Sequence, residues 1–272
     1  MSADRITINI DGDDYEVGRN QPLLEAIREA GIDVPNFCYH PDLAVAGNCR
    51  ICLVEVEGPR GAMLGISCHM RPAPGMKVRT DTSSEKVAAA RKGVMEFLLV
   101  NHPLDCPICD KAGECMLQDH YMSSGRHASR LDDDLGKVYK GGVDHRFIDT
   151  KGQDRGGKHI DLGPSIVLDQ ERCILCSRCV RFMRDVAGEE QLGIAGRGDH
   201  AYITTFPGEP LDHGYDLCTT DICPVGALTG KHFRFQQRVW FLKSVESIAP
   251  DDSLNANLTI DYHRGRVWRL MP

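Results

Sequence analysis

The sequence is poor in aromatic residues and has no long apolar run. Its 272 residues include two Trp, and Phe, Trp and Tyr together make up 6%. No stretch approaches the roughly eighteen continuous apolar residues of a membrane span. The longest helical apolar stretch, GVMEFLLV (93–100), is interrupted by Glu96. The N-terminus, MSADRITINIDGDDYEV, has neither the basic and apolar regions of a secretion signal nor Arg/Ser-rich transit character. A chain kept in a reducing cytoplasm, where disulfides do not persist, is therefore expected, and the sequon at Asn257 is a chance match. Positive charge is also short. With 32 Lys and Arg against 39 Asp and Glu the net charge is −7, which gives nucleic-acid binding no electrostatic support. There is no P-loop, no nucleophile–base set, and no G-x-G-x-x-G after a strand; GIAGRG (193–198) has the wrong spacing and reads as a loop. The apolar share, 42%, excludes disorder and collagen. At about 150 residues per domain the length allows about two domains, or several small ones.

What the chain does have is cysteine: twelve residues, too few for a disulfide scaffold and too many for accidental core packing. In a reducing compartment they mean metal or redox chemistry. They fall into three groups: Cys38, Cys49, Cys52 and Cys68; then Cys106, Cys109 and Cys115; then Cys173, Cys176, Cys179, Cys218 and Cys223.

The first group belongs to a module of about eighty residues. ITINI (6–10) and YEV (15–17) flank the turn-rich DGDD (11–14) as a hairpin. Pro22 opens a helix that stops at Gly31, and strands follow at 51–57, 62–68 and 76–82. This is a small α+β roll with a cysteine-bearing loop after its helix. Four thiolates from one loop and the next strands suit a [2Fe–2S] cluster, in a variant of the plant-type spacing with a longer first gap. Small residues at Ala44, Ala46 and Gly47 let backbone N–H groups approach the sulfurs. The competing reading is a four-cysteine zinc site, although only one C-x2-C knuckle is present.

Thr82 and Glu85 form a capping box ahead of a helix over 83–100, with Val87, Ala90, Val94, Phe97 and Leu98 on its apolar period. The second group follows with the spacing H-x3-C-x2-C-x5-C when His102 is included. Three Cys need a fourth ligand. His102 can supply it, and His120 is the rival. Replacing a thiolate by neutral His removes a negative charge and raises a cluster's potential.

In the third group C-x2-C-x2-C is the tight run of a bacterial-type [4Fe–4S] ferredoxin. The usual nearby fourth Cys is missing, but Cys223-Pro224 supplies a remote C-P. Three clusters need twelve ligands, and twelve Cys with His102 make thirteen candidates. The one left over, Cys218, lies outside any tight run and is expected as a buried free thiol.

Together these motifs resemble the 75-kDa iron–sulfur subunit of respiratory complex I, NADH–quinone oxidoreductase. The matching stretches are PNFCYHPDLAVAGNCRICLVEVEG, NHPLDCPICDKAGECMLQD, DLGPSIVLDQERCILCSRCVRF and ICPVGALT, within about residues 6–230. The resemblance implies an α+β chain in which Cys38, Cys49, Cys52 and Cys68 hold a [2Fe–2S] cluster. It implies one [4Fe–4S] cluster on His102, Cys106, Cys109 and Cys115, and another on Cys173, Cys176, Cys179 and Cys223. The expected organisation is a [2Fe–2S] ferredoxin-like β-grasp (1–82), a helical, loop-rich [4Fe–4S] module (83–135), a basic Gly-rich loop (136–159), a bacterial-ferredoxin-like [4Fe–4S] module (160–230) and a β remnant without a cluster (231–272). The Gly-rich loop is either a solvated connection or, through Lys137, Lys140, Lys151 and Arg155, a docking surface for an acidic neighbour.

Two departures from the family stand out. Some members carry a further C-x2-C-x3-C site after a W-x-L…S-I stretch. Here WFLKSVESI (240–248) is followed by Ala249, Asp252 and Ala256 at those positions, so a fourth cluster is expected to be absent. The family also continues into a molybdopterin-enzyme-like domain. This chain stops after one expected hairpin with its turn at His263-Arg264-Gly265, as a naturally short, split or truncated subunit would. Shorter relatives are the diaphorase subunits of NAD-linked hydrogenases and parts of formate dehydrogenases. With no dinucleotide or phosphate-binding motif, no NADH or flavin site is expected in this chain, and no quinone site. Electrons would arrive from a flavin- and NADH-binding partner subunit and leave to further iron–sulfur subunits and quinone. The complex would sit on the cytoplasmic side of the inner membrane, with this chain touching the membrane only through partner subunits.

Overall fold

Ile6, Ile8 and Ile10 alternate with Thr7 and Asn9, the period of a strand with one buried face. They form β1 (Arg5–Ile10) in the computed structural model, which describes residues 5–59, 61–124, 157–250, 253 and 255–272. The chain divides into two compact units, one of residues 1–100 and 120–130, the other of 101–119 and 131–272. Residues 136–156 of the basic Gly-rich stretch, with Lys137, Lys140, Lys151 and Arg155, lie outside the described residues, as does Asp252.

In the first unit, Asp11 and Gly12 both have positive φ (53° and 105°), as a two-residue type I′ hairpin demands. They join β1 to β2 (Asp13–Gly18). Pro22 precedes α1 (Leu23–Glu29), which buries Leu23, Leu24, Ala26 and Ile27. Gly31, at φ 80°, ends it in the left-handed region. A cysteine-bearing loop leads to β3 (Leu53–Gly58), β4 (Gly61–Ile66) and β5 (Lys77–Arg79). The sheet order is β2-β1-β5-β3-β4, with β5 parallel to β1 and the other pairs antiparallel. The core joins Leu24 and Ile27 to Ile8, Ile10, Val54 and Val78, and it includes Cys52 and Cys68. This is the expected α+β arrangement, with the strands close to their expected positions.

α2 (Glu85–Leu99) departs from expectation at its start and on its face. The cap is Ser84, not Thr82: the Ser84 hydroxyl accepts from the Val87 N–H at 3.3 Å and donates to Glu55 at 2.8 Å. Ser84 is buried beside β3, while Thr82 is exposed and turns its N–H to the Thr80 hydroxyl. The buried stripe is Val87, Arg91 and Met95, and Phe97 is 79% exposed. Arg91 decides this. Its guanidinium donates to the Leu53 carbonyl at 3.0 and 2.8 Å and to Asp81 at 2.6 Å, so a charged residue occupies the inner face.

In the second unit, a 3-10 turn (Cys106–Ile108) opens with Cys106 and is followed by Cys109, and Cys115 immediately precedes α3 (Met116–Ser124), whose last residues belong to the first unit. β6 (Ile160–Asp161) and β7 (Ile166–Leu168) follow, then α4 (Arg178–Phe182), which widens into a π-helical turn (Met183–Ala187) and ends at Gly188, φ 76°. β8 (Gly193–Ala195) and β9 (Tyr202–Thr204) pair, so the first half of GIAGRG is a strand rather than a loop. Ile203 is buried and draws its hairpin inward. α5 (Cys218–Asp221) precedes β10 (Leu228–Gly230), which completes a sheet of order β10-β7-β6.

β11 (Lys243–Ile248), β12 (Asn257–His263) and β13 (Arg266–Met271) form a further sheet, three-stranded, in the order β11-β12-β13. Its expected last hairpin turns at Arg264 and Gly265, both with positive φ. The stretch 243–248 adds a third strand, and the Ala249 N–H donates to the Ala256 carbonyl at 2.9 Å. Two of the positions that lack thiols thus close the base of a loop.

Candidate metal centres

No cysteine is in a disulfide. In the first unit, Cys38 lies in the loop after α1, Cys49 and Cys52 in the loop before β3, and Cys68 just after β4. Cys38, Cys52 and Cys68 are each 1% exposed. The four thiols hydrogen-bond one another: Cys38 with Cys49 and Cys68, and Cys52 with Cys68. Hydrogen bonds from Cys49 and Cys68 hold Cys38 well below the usual thiol value. The same contacts push Cys49 and Cys68 far up, while Cys52 is drawn down to about 7, chiefly by Cys68. Backbone N–H groups of Asn48 and Cys49 point at Cys38, and that of Ile51 at Cys49. Gly47 makes this wrap possible. Its φ is 63°, and a Cβ there would stand 2.9 Å from Ile66.

In the second unit, Cys106 is exposed and Cys109 and Cys115 are buried. Burial raises both buried thiols; Cys115 also feels the charge of Cys109 and Cys106, and Cys109 that of Cys106. The Lys111 N–H points at Cys109, and those of Leu117 and Gln118, in the first turn of α3, point at Cys115. His102 is half-buried four residues before Cys106. His120 sits in the first unit, its ring edge-on to Phe37 with centroids 5.1 Å apart.

Cys173, Cys176, Cys179 and Cys223 line one cavity with Leu168, Ile203, Val225 and Leu228. The loop between them bends through Leu175 and Ser177, both at positive φ, and the Leu175 N–H donates to the Cys173 sulfur at 3.4 Å. Burial pushes the Cys176 thiol up to about 12 and Cys179 well above its usual value. Cys218 does not line this cavity and is half-buried rather than buried, because it opens the one-turn helix α5.

Two contacts tie the second and third sets together. The Met116 N–H donates to the Pro224 carbonyl at 3.1 Å, linking the residues that follow Cys115 and Cys223. A Cβ on Gly226 would lie 2.2 Å from the Cys109 sulfur. Buried arginines surround these sets, and the cysteine spacing did not single them out. Arg172 pairs with Asp105 at 3.2 Å and Asp169 at 3.1 Å. Arg178 donates to the Ile222 carbonyl, and Arg181 to that of Cys176. The signal was present in RCILCSRCVRF, where arginines alternate with the cysteines. Among the described residues, no three His, Cys, Asp or Glu side chains are gathered as for a single metal ion. The donor chemistry nevertheless fits iron–sulfur clusters: soft thiols in sets, with N–H groups directed at sulfurs of each.

Residues 3–83 match the 2Fe-2S iron-sulfur cluster binding domain family. Residues 91–130 match the NADH-ubiquinone oxidoreductase-G iron-sulfur binding region, and 163–229 the ferredoxin-like domain of NADH-quinone oxidoreductase subunit 3. Over 99% of its length the chain is 44% identical to a mitochondrial NADH dehydrogenase [ubiquinone] iron-sulfur protein 1 from Solanum tuberosum. Over 98% it is 41% identical to the NADH-ubiquinone oxidoreductase 75 kDa subunit from Reclinomonas americana. The chain belongs to the family of the 75-kDa iron–sulfur subunit of NADH–quinone oxidoreductase. It spans 33% and 35%, respectively, of the lengths of those 75-kDa-family relatives. A solved NAD+-reducing [NiFe]-hydrogenase is also similar, at 30% identity and a TM-score of 0.69, covering 86% of this chain and 91% of that one. No helix among the described residues is long and apolar enough to cross a membrane.

Proposed function

We propose that this chain is an electron-transfer subunit of an NADH:quinone oxidoreductase, relaying single electrons from a flavin- and NADH-binding partner subunit towards further iron–sulfur subunits. The observation that carries the proposal is the gathering of cysteines into three sets, each within a segment that matches an iron–sulfur family. The ligands proposed are Cys38, Cys49, Cys52 and Cys68 for a [2Fe–2S] cluster. His102, Cys106, Cys109 and Cys115 would hold one [4Fe–4S] cluster, and Cys173, Cys176, Cys179 and Cys223 another. Bound clusters of these types supply reversible one-electron carriers.

The residues of the chain do the rest. N–H groups of Asn48, Leu117 and Leu175 steady sulfur charge, and Leu168, Ile203 and Val225 keep water from the third set. The Met116–Pro224 hydrogen bond keeps the second and third sets adjacent. His102 is favoured over His120 because it shares a unit with Cys106, Cys109 and Cys115, while His120 packs on Phe37. The cluster-bearing modules are assigned to 1–82, 83–135 and 160–230. The chain would work at the cytoplasmic side of the inner membrane, reaching it through partners.

Iron, acid-labile sulfide and EPR after dithionite test this. The expected result is about ten iron atoms, with one [2Fe–2S] and two [4Fe–4S] signals; zinc without labile sulfide overturns it. The hydrogenase likeness favours a second reading, the diaphorase subunit of an NAD-linked hydrogenase. Co-purification separates the two, because the first expects a complex I flavoprotein and the second a hydrogenase.

A further inference from the structure

Five charged side chains of the second unit, Asp105, Lys158, Asp169, Glu171 and Arg172, form a network that reaches both of its cysteine sets. Asp105 immediately precedes Cys106, and Arg172 immediately precedes Cys173. Backbone hydrogen bonds register both. The Ile108 N–H donates to the Asp105 carbonyl at 2.8 Å, in the turn that carries Cys106. The Cys173 N–H donates to the Gln170 carbonyl at 3.1 Å, closing a 3-10 turn (Gln170–Arg172). The Asp169 N–H donates at 2.7 Å to the carbonyl of Ala227, which lies shortly after Cys223.

The Arg172 guanidinium stands between these segments. Its Nη2 lies 3.2 Å from Asp105, 67 residues away in the chain, and its Nε lies 3.1 Å from Asp169. The Arg172 side chain is 4% exposed and that of Asp169 3%. Lys158 bridges as well. It contacts Asp105, and it lies 2.7 Å from Glu171 and 3.9 Å from Asp169, but its side chain is 42% exposed. Water and salt screen an ammonium at that exposure far more than an enclosed guanidinium. A buried ion pair stabilises little compared with apolar packing, and its best-attested use is to fix one arrangement of the groups it joins. A guanidinium suits that use, because it is planar, always charged and directs its donors at fixed angles.

We propose that Arg172 is a positioning residue, which fixes the spacing of the second and third cysteine sets for electron transfer between the centres they hold. The inference rests on the iron–sulfur reading of both sets. The step it serves moves one electron: one centre is oxidised and the other reduced. No bond is broken, no proton moves, and Arg172 keeps its charge throughout. Electronic overlap decays steeply with separation, so a clamp between Asp105 and Asp169 holds the transfer rate to one value.

The test is EPR of the dithionite-reduced wild-type chain, R172Q, D105N, the double variant D105N/R172Q, K158Q and R184Q, with iron and sulfide measured on each. Arg184, 47% exposed and paired with Asp185, lies outside the network and serves as the control. Two reduced [4Fe–4S] centres held at one distance split each other's signals through their spins, and the wild-type chain is expected to show that splitting. R172Q and D105N should each lose it while keeping about ten irons and all three signals. The double variant should be no worse than either, because both substitutions break one contact. K158Q should weaken the splitting less, and R184Q should leave it unchanged. A wild-type chain with full iron and no splitting overturns the proposal, as does an unchanged splitting in R172Q. So does an effect of K158Q larger than that of R172Q, because the ammonium would then be the clamp. Loss of iron from both R172Q and D105N also overturns it, because the pair would then hold the centres rather than space them. If R172Q alone loses iron, loss of the splitting in D105N supports the proposal and its retention overturns it. Failure of the iron–sulfur reading would show separately, as zinc without labile sulfide in the wild-type chain.

Discussion

Cys52 and Cys68 belong to the apolar core of their unit, and Cys38 is equally buried, whereas Cys106 stands exposed on a loop held by charged contacts. Around the first set, Leu24, Ile27 and Val54 fix the strands that present the thiols, and burial of each such side chain contributes about 1.5–3 kcal/mol. The loop of the second set has little apolar anchorage. Arg238 holds the carbonyls of Pro107 and Cys109, and Arg269 clamps Glu114 at 2.9 and 2.7 Å while also reaching Asp261. One cysteine set is thus held by a hydrophobic core, and the other by hydrogen bonds and ion pairs. The first should fail when the core is loosened, the second when a single close contact or charge is changed.

The largest effect should come from Gly226→Ala. Its Cβ would overlap the Cys109 sulfur, so one [4Fe–4S] signal and about four of about ten irons should be lost, with the [2Fe–2S] signal intact. If all three signals survive, the close packing of Cys109 on Gly226 is not what holds that set. Next, Leu24→Ala should destabilise the first unit by about 2–5 kcal/mol in urea unfolding. The [2Fe–2S] signal should fade before the other two; equal loss of all three would erase the contrast between the units. Arg269→Ala should cost about 2 kcal/mol in the second unit, because Glu114 and Asp261 lose a charged donor. High salt should mimic part of that loss and leave the first set unaffected. The smallest effect belongs to Ser84→Ala, about 1 kcal/mol from the lost cap of α2, read by the same urea titration. Thr82→Ala should cost less, in keeping with the cap position.

Much of this was legible in the chain. The alternation through Ile6, Ile8 and Ile10, the Asp11-Gly12 turn and the Gly31 stop each state a local backbone preference, and each is realised. The cysteine spacing marked the three sets because each contains a C-x2-C run. Cap and face of α2 were misjudged for a shared reason. Ser84 and Arg91 satisfy partners on and beside β3, namely Glu55, Leu53 and Asp81, which lie 10 to 38 residues away, beyond the reach of a local pattern. For GIAGRG the glycines suggested a loop, but pairing with Tyr202–Thr204 made half of it a strand.

Local order along the chain was enough to set the number of cysteine sets, the α+β class and most turns, because these follow from short-range spacing and backbone preference. Folding was needed to lay Gly226 against Cys109, to bond Met116 to Pro224, and to bring the Arg238 guanidinium to the carbonyl of Cys109, more than a hundred residues earlier in the chain. These are long-range contacts between groups whose own identities are ordinary. Their chemistry exists only once the fold has removed water and placed charge, sulfur and backbone together.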